Sequence, residues 1–204
     1  MEKLFKADWK LEEFHNLIEA GLKMGSKYFF LVGCAHGLYF MVRDTDSEGL
    51  DSNPKRFPNE VYEVFAEAIE LNPKSFSGYS FKAQYLYQTL KDEEAALNVC
   101  EKALNLNIEE PGVLNIMYLK NHIKIFTKKS DAVIESIKDL DKMIKMHEKF
   151  FGNSINQNEE LSKYYFLKAK ALFILNKDPR NNLIKAAELG NEEAQKILNE
   201  MDNE

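Results

Sequence analysis

The chain has 204 residues, 45% of them hydrophobic and 29% charged, which is enough apolar material for a packed core and too much for wholesale disorder. Nine Gly and five Pro are too few for a turn-rich all-β chain, and two Cys, Cys34 and Cys100, cannot supply a disulfide framework. The net charge of −6 is uneven. Residues 61–110 carry four Lys against nine acids and residues 111–150 eight Lys against five, a balance that argues against nucleic acid, where several phosphates must be neutralised at once.

In chain order, apolar residues recur at spacings of three and four. Trp9, Phe14, Leu17 and Ile18 predict a first amphipathic helix, opened by Asp8. Tyr28–Val42 is fifteen residues without a formal charge, shorter than a membrane span and interrupted by Gly33 and Gly37, so a buried helix is expected. Val61, Phe65, Ala68 and Ile69 predict the next helix, with Pro73 behind it. Tyr79, Ala83, Leu86 and Leu90 predict another. Ala96, Val99, Cys100, Ala103 and Leu104 follow, with Asp92 as N-cap. Ile116, Leu119, Ile123 and Phe126 line a further helix, and Ile137, Leu140 and Ile144 one capped by Ser130 or Asp131. Leu161, Tyr165, Leu172 and Leu175 line the last long one. Two short helices close the chain, around Leu183–Leu189 and Glu192–Met201. No stretch sustains a period of two, so no strand is expected.

Each helix has too little apolar surface to fold alone, which makes repetition the next question. Glu67-Ala-Ile-Glu-Leu-Asn72 reappears as Lys102-Ala-Leu-Asn-Leu-Asn107, thirty-five residues later. The pattern resembles the tetratricopeptide repeat, with Phe65, Ala68 and Pro73 at the second-helix positions of one copy and Ala96, Cys100 and Ala103 at those of the next. Leu183-Ile-Lys-Ala-Ala-Glu-Leu-Gly-Asn-Glu-Glu-Ala194 is similar to the related Sel-like repeats, and Ile18–Ser26 echoes it. The resemblance implies an all-α, right-handed superhelical solenoid of about ten antiparallel helices. It further implies a single domain over residues 1–204, with insertions near 43–59 and 150–158 and a Sel-like repeat near 159–202. The Pro expected after Ala103 falls late, at Pro111, so the array departs from consensus.

Chemistry is sparse. Asp44-Thr-Asp-Ser-Glu-Gly49 resembles the opening of an EF-hand loop, but its twelfth position is Lys55 where a bidentate Glu is required, so a solvated acidic loop is expected. The four His (His15, His36, His122 and His147) form no His-x-x-x-His pair, and no Cys-x-x-Cys is present. Cys34 and His36 fall on different sides of a helix and lack a third group to orient a base. Nucleophile elbows, phosphate loops and dinucleotide fingerprints are absent. Glu12-Glu13, Glu93-Glu94 and Glu159-Glu160 stand near helix starts, where the helix dipole explains them. No cofactor and no metal is expected, and no enzyme.

In stacked helical pairs the first helices line the concave face, and each here keeps a second stripe: Phe81, Tyr85 and Gln88; Asn115, Tyr118 and His122; Phe166, Lys170 and Phe173. The Phe are expected to pack between helices. The others fit a groove that grips a protein or peptide, with Tyr85, Gln88, Asn115, Tyr118, His122 and Lys170 as partner-binding residues. Lys120, Lys124 and Lys128 share one helix edge, which is either solvated, a clamp for an acidic partner tail, or part of a phosphate track. The expectation is a cytoplasmic, non-catalytic scaffold or adaptor, in a narrower form a bacterial toxin-neutralising immunity protein or a secretion chaperone. An enzyme or small-ligand module on the same scaffold, and an RNA-binding repeat, are the alternatives. Oligomeric state is left open.

Overall fold

The computed structural model describes residues 58–106, 109–127, 130–152 and 158–203, with side chains from Phe65 onward. The first amphipathic helix, the Tyr28–Val42 run, Cys34, His15, His36 and the acidic Asp44–Lys55 loop lie outside the described residues, as do the Val61 side chain and Lys128. Among the described residues there are eight α-helices and no strand. None of these helices is long and apolar enough to cross a membrane. The chain divides into two compact units, residues 1–106 and 107–204.

The first unit holds α1 (Pro58–Leu71), α2 (Phe76–Gln88) and α3 (Glu93–Leu104), with α1 packed on α2 and α2 on α3. Small residues set these crossings. Ala68, Ala83, Ala96, Cys100 and Ala103 are fully buried, and a Cβ on Gly78 would come within 3.0 Å of the Ile69 side chain. The α3 start is where a helix should start: the Asp92 carboxylate accepts from the Ala95 N–H at 2.9 Å, satisfying one of the four donors a helix leaves orphaned, and Glu93 and Glu94 occupy the first turn. The turn before α2 is pinned by the Tyr79 hydroxyl, which donates to the Pro73 carbonyl at 3.1 Å.

The second unit holds α4 (Gly112–Phe126), α5 (Ser130–Phe151), α6 (Asn158–Ile174), α7 (Arg180–Glu188) and α8 (Glu192–Met201). Consecutive helices pack on one another, and α4 also packs on α6. Ile116, Ile123 and Ile125 from α4 and Val133, Leu140 and Met143 from α5 are fully buried. Each contributes about 1.5–3 kcal/mol by the removal of its side chain from water. The α7–α8 corner shows how local chemistry fixes the path. Gly190 takes a left-handed φ of +94°, its N–H donates to the Ala187 carbonyl at 2.9 Å, and the Asn191 N–H donates to the Ala186 carbonyl at 3.0 Å. That is a Schellman ending, and the Asn191 side chain then caps α8 by accepting from the Ala194 N–H at 2.9 Å.

Three local readings need correction. Pro111 does not close α3; it stands at the N-cap of α4, where a missing N–H costs nothing. Asp131 lies within the first turn of α5, which begins at Ser130, and not ahead of it. On α6 the buried residues are Ser162, Tyr164, Phe166, Leu167, Ala169 and Ala171, whereas Leu161, Tyr165 and Leu172 are half-exposed and Leu175, also half-exposed, falls just past the helix end. This helix meets α4, α5 and α7, so its burial is spread around the axis and no single stripe marks it.

Candidate functional site

The most chemically varied surface lies where α4, α5 and α6 meet in the second unit. Along α4, Asn115 is exposed and Tyr118 and His122 are half-buried, spaced so that they share one face. That face turns to α6: the Tyr118 ring lies 5.9 Å from Tyr164 and 6.1 Å from His122. His122 in turn lies 4.5 Å from Phe126, and Tyr164 is met edge-on by His147 of α5 at 5.8 Å. His147 is 4.9 Å from Phe151. A continuous run of rings therefore crosses three helices.

Charges border these rings. Lys163 bridges Glu159 at 2.9 Å and Glu160 at 2.8 Å, and both contacts hold its ammonium above the usual range. Burial pushes the Tyr118 phenol up, with Lys163 opposing the rise and Glu160 adding to it. Burial likewise raises Tyr164, and Glu160 adds to that rise. His122 is pushed below its ordinary 6.5 by burial and then by the Lys170 charge. Burial lowers His147 too, against an upward pull from Glu160 and Glu148. Both imidazoles are consequently neutral near pH 7.

A cavity of about 220 Å³ opens at the start of α4, the end of α5 and the start of α6, lined by Pro111, Gly112, Leu114, Asn115, His147, Phe151, Glu160 and Tyr164. His147 is 1% exposed, and neither of its ring nitrogens has a hydrogen-bond partner. Among the described residues no group of three or more His, Cys, Asp or Glu could hold a metal ion.

Of the partner-binding residues expected from the sequence, the structure brings Asn115, Tyr118 and His122 onto one face and sets Lys170 close enough to His122 to affect its titration. Lys170 is already engaged, 4.2 Å above the Phe166 ring and 3.3 Å from Glu193 of α8. Tyr85 is a correction. It is fully buried with its ring 5.9 Å from Phe65, so it belongs to the core of the first unit and offers no surface to a partner. Gln88 is exposed on α2 of that same unit. Among the Phe residues expected to pack, Phe166 is buried and Phe81 stacks on Phe65 at 6.5 Å, but Phe173 is 72% exposed and packs little. Lys124 pairs with Glu135 of α5 at 2.7 Å, so the described Lys edge of α4 is already partly neutralised within the unit.

From the sequence, His147 has no ligand partner and Glu160 is explained by the helix dipole, and neither Phe151 nor Tyr164 is given a role at a site. The signal for His147 was present: it follows Leu140, Met143 and Ile144 at helical spacing and so sits on the apolar stripe of α5, where a polar ring must be buried. No family model matches the chain, and none of the curated proteins does.

Proposed function

We propose that the chain is a non-catalytic helical-repeat scaffold that binds a partner protein or peptide across the Asn115–Tyr118–His122 face. The observation that carries the reading is this face itself: aromatic and amide side chains left partly open on a helix whose other sides are packed. Such groups give contact area and hydrogen bonds at little entropic cost, which is how grooves hold extended peptides. A right-handed tetratricopeptide-like or Sel-like solenoid is the architecture proposed for it. Matching burial supports that reading, since Ala68 and Ala103, the Ala of the two repeated hexapeptides, are both fully buried. The Ala186–Gly190–Ala194 corner supports it in the same way, with both Ala buried around a left-handed Gly.

A cytoplasmic immunity protein or secretion chaperone remains the narrower form of the proposal, supported by small size and an acidic balance suited to a basic partner. Affinity for such a partner falls as salt rises. The test is affinity capture from native lysate at low and moderate salt, comparing the wild type with a Tyr118→Ala, His122→Ala variant that circular dichroism shows to be folded. One dominant protein retained by the wild type and lost by the variant is the expected result. Absence of any retained protein at either salt overturns the reading.

A further inference from the structure

A buried ring can take up a proton only where the new charge finds water or an acceptor. Both ring nitrogens of His147 are closed off from solvent and bond to nothing. The ring is held between Phe151 at 4.9 Å and Tyr164, edge-on at 5.8 Å. A neutral imidazole fits this place, but an imidazolium would carry two N–H donors with nowhere to point.

The charges around the ring do not change that where it stands. From α6, Glu160 lines the same cavity as His147, but it is paired with Lys163 at 2.8 Å, which also holds Glu159 at 2.9 Å. On α5 the neighbours are Glu148 and Lys149, and Lys149 reaches Glu109 at 3.1 Å, beside Glu110 ahead of α4. The first turn of α4 brings no acid. Five carboxylates against two ammonium groups make the surroundings favourable to a cation, yet none of them touches either nitrogen. The neighbourhood invites a proton that the closed ring cannot accept.

The corner is also the part of the second unit that opens most easily. His147 lies one turn before α5 ends at Phe151, and α4 and α6 begin at Gly112 and Asn158, around a cavity of about 220 Å³. Residues lining a void lose contacts on that side, and helix ends open at lower cost than helix centres.

We infer that this junction is an acid-sensitive latch: the neutral His147 ring keeps the ends of α5 and α6 closed on α4, and protonation requires that corner to open. Opening withdraws His147 from Tyr164, the ring that lies between it and Tyr118, 5.9 Å further on. The latch rests on the junction alone. Its consequence, a looser Tyr118 face and a partner released in mild acid, rests on the scaffold reading above. The sign follows from linkage. The open form takes its proton near the ordinary 6.5 and the closed form only below it, because burial lowers the closed ring. The open population is therefore lowest above that pH and rises by up to about tenfold for each unit below it. His122 titrates in the same direction beside Tyr118, facing Lys170, so the test must read His147 separately.

The test is hydrogen exchange of the full chain, followed by NMR at about pH 7.5 and about pH 5.5 and expressed as protection factors. Protection of the Lys149–Phe151 and Ser162–Tyr164 amides is expected to fall by about threefold to tenfold at the lower pH. Ile123 and Ile125, at the opposite end of α4, should keep theirs, with the far-UV circular dichroism unchanged. His147→Phe, which leaves His122 to titrate, should abolish the fall. Titration of the imidazole nitrogens gives a second readout on the wild type. His147 nitrogens that take up a proton while these amides stay protected overturn the latch, as does a fall that persists in His147→Phe. Exchange and partner capture are read independently. A captured partner held equally at both pH values leaves the scaffold standing and refutes the release. Acid opening with no captured partner supports the latch and refutes the scaffold.

Discussion

Replacing His147 by Phe should make the protein more stable, which is an uncommon direction for a change at a buried site. His147 is 1% exposed and has two ring nitrogens without partners, against neighbours that are aromatic: Phe151 at 4.9 Å and Tyr164 edge-on at 5.8 Å. A buried polar group left unsatisfied costs about 1–3 kcal/mol. Phe removes that cost, keeps the flat shape and the edge contact, and has the adjoining 220 Å³ for its extra atoms. The expected gain is about 1–3 kcal/mol, or roughly 2–12 °C in Tm for a chain of this length. Urea unfolding followed by circular dichroism reads it directly. The pH dependence gives a second readout. Because burial holds His147 below its ordinary 6.5, the unfolded chain binds more protons on passing below that pH, so wild-type stability is full above about pH 6.5 and falls as pH drops from there toward the lowered folded value. His122 titrates in the same direction, so His147→Phe should lose part of the acid sensitivity and keep the rest. A variant destabilised by more than about 1 kcal/mol, or one with an unchanged pH profile, would show that the imidazole is satisfied in the folded protein and would refute the reasoning.

Ala68→Leu and Ala103→Leu should each cost about 1–3 kcal/mol by overpacking, and in similar amounts if the two hexapeptides are equivalent positions of a repeat; unequal losses in urea unfolding would count against the repeat. Gly190→Ala should cost about 1–2 kcal/mol from left-handed strain alone, since a Cβ there meets no atom within 4 Å, and a neutral result would mean that the corner relaxes. Lys124→Met should cost under about 1 kcal/mol because Glu135 is 56% exposed. The Lys124 contact holds the Glu135 carboxyl below its ordinary 4.5, so its small contribution is present above that pH and is lost as pH falls through the lowered value; NMR titration of Glu135 in the variant should return it upward.

Much of the helix punctuation was legible because it is local chemistry. Asp92 and Asn191 each satisfy a backbone donor three residues ahead, and Gly190 supplies a left-handed residue; none of these depends on what the helix packs against. The faces of α4 were legible in part for a related reason: Ile116, Leu119 and Ile123 all lie on its buried side, whereas Phe126, expected with them, is 44% exposed at the helix end. On α6 the same method failed, since a helix enclosed by three others has no single apolar stripe. Tyr85 failed differently. Its stripe with Phe81 and Gln88 is real in spacing, yet burial of the ring against Phe65 is set by α1, and nothing within α2 announces it.

The candidate site divides along the same line. Asn115, Tyr118 and His122 could be found because they share one helix face, a relation that sequence spacing carries. The cavity could not, because its lining comes from the start of α4, the end of α5 and the start of α6, and sequence spacing does not report which helix ends meet. His147 joins the two descriptions. Sequence assigns it to a buried stripe, where an apolar residue would serve stability better; the structure gives that same ring an adjoining cavity. A stabilising His147→Phe would therefore show that the imidazole is a net cost to the fold at that position, the buried ring giving up stability that an apolar residue would keep.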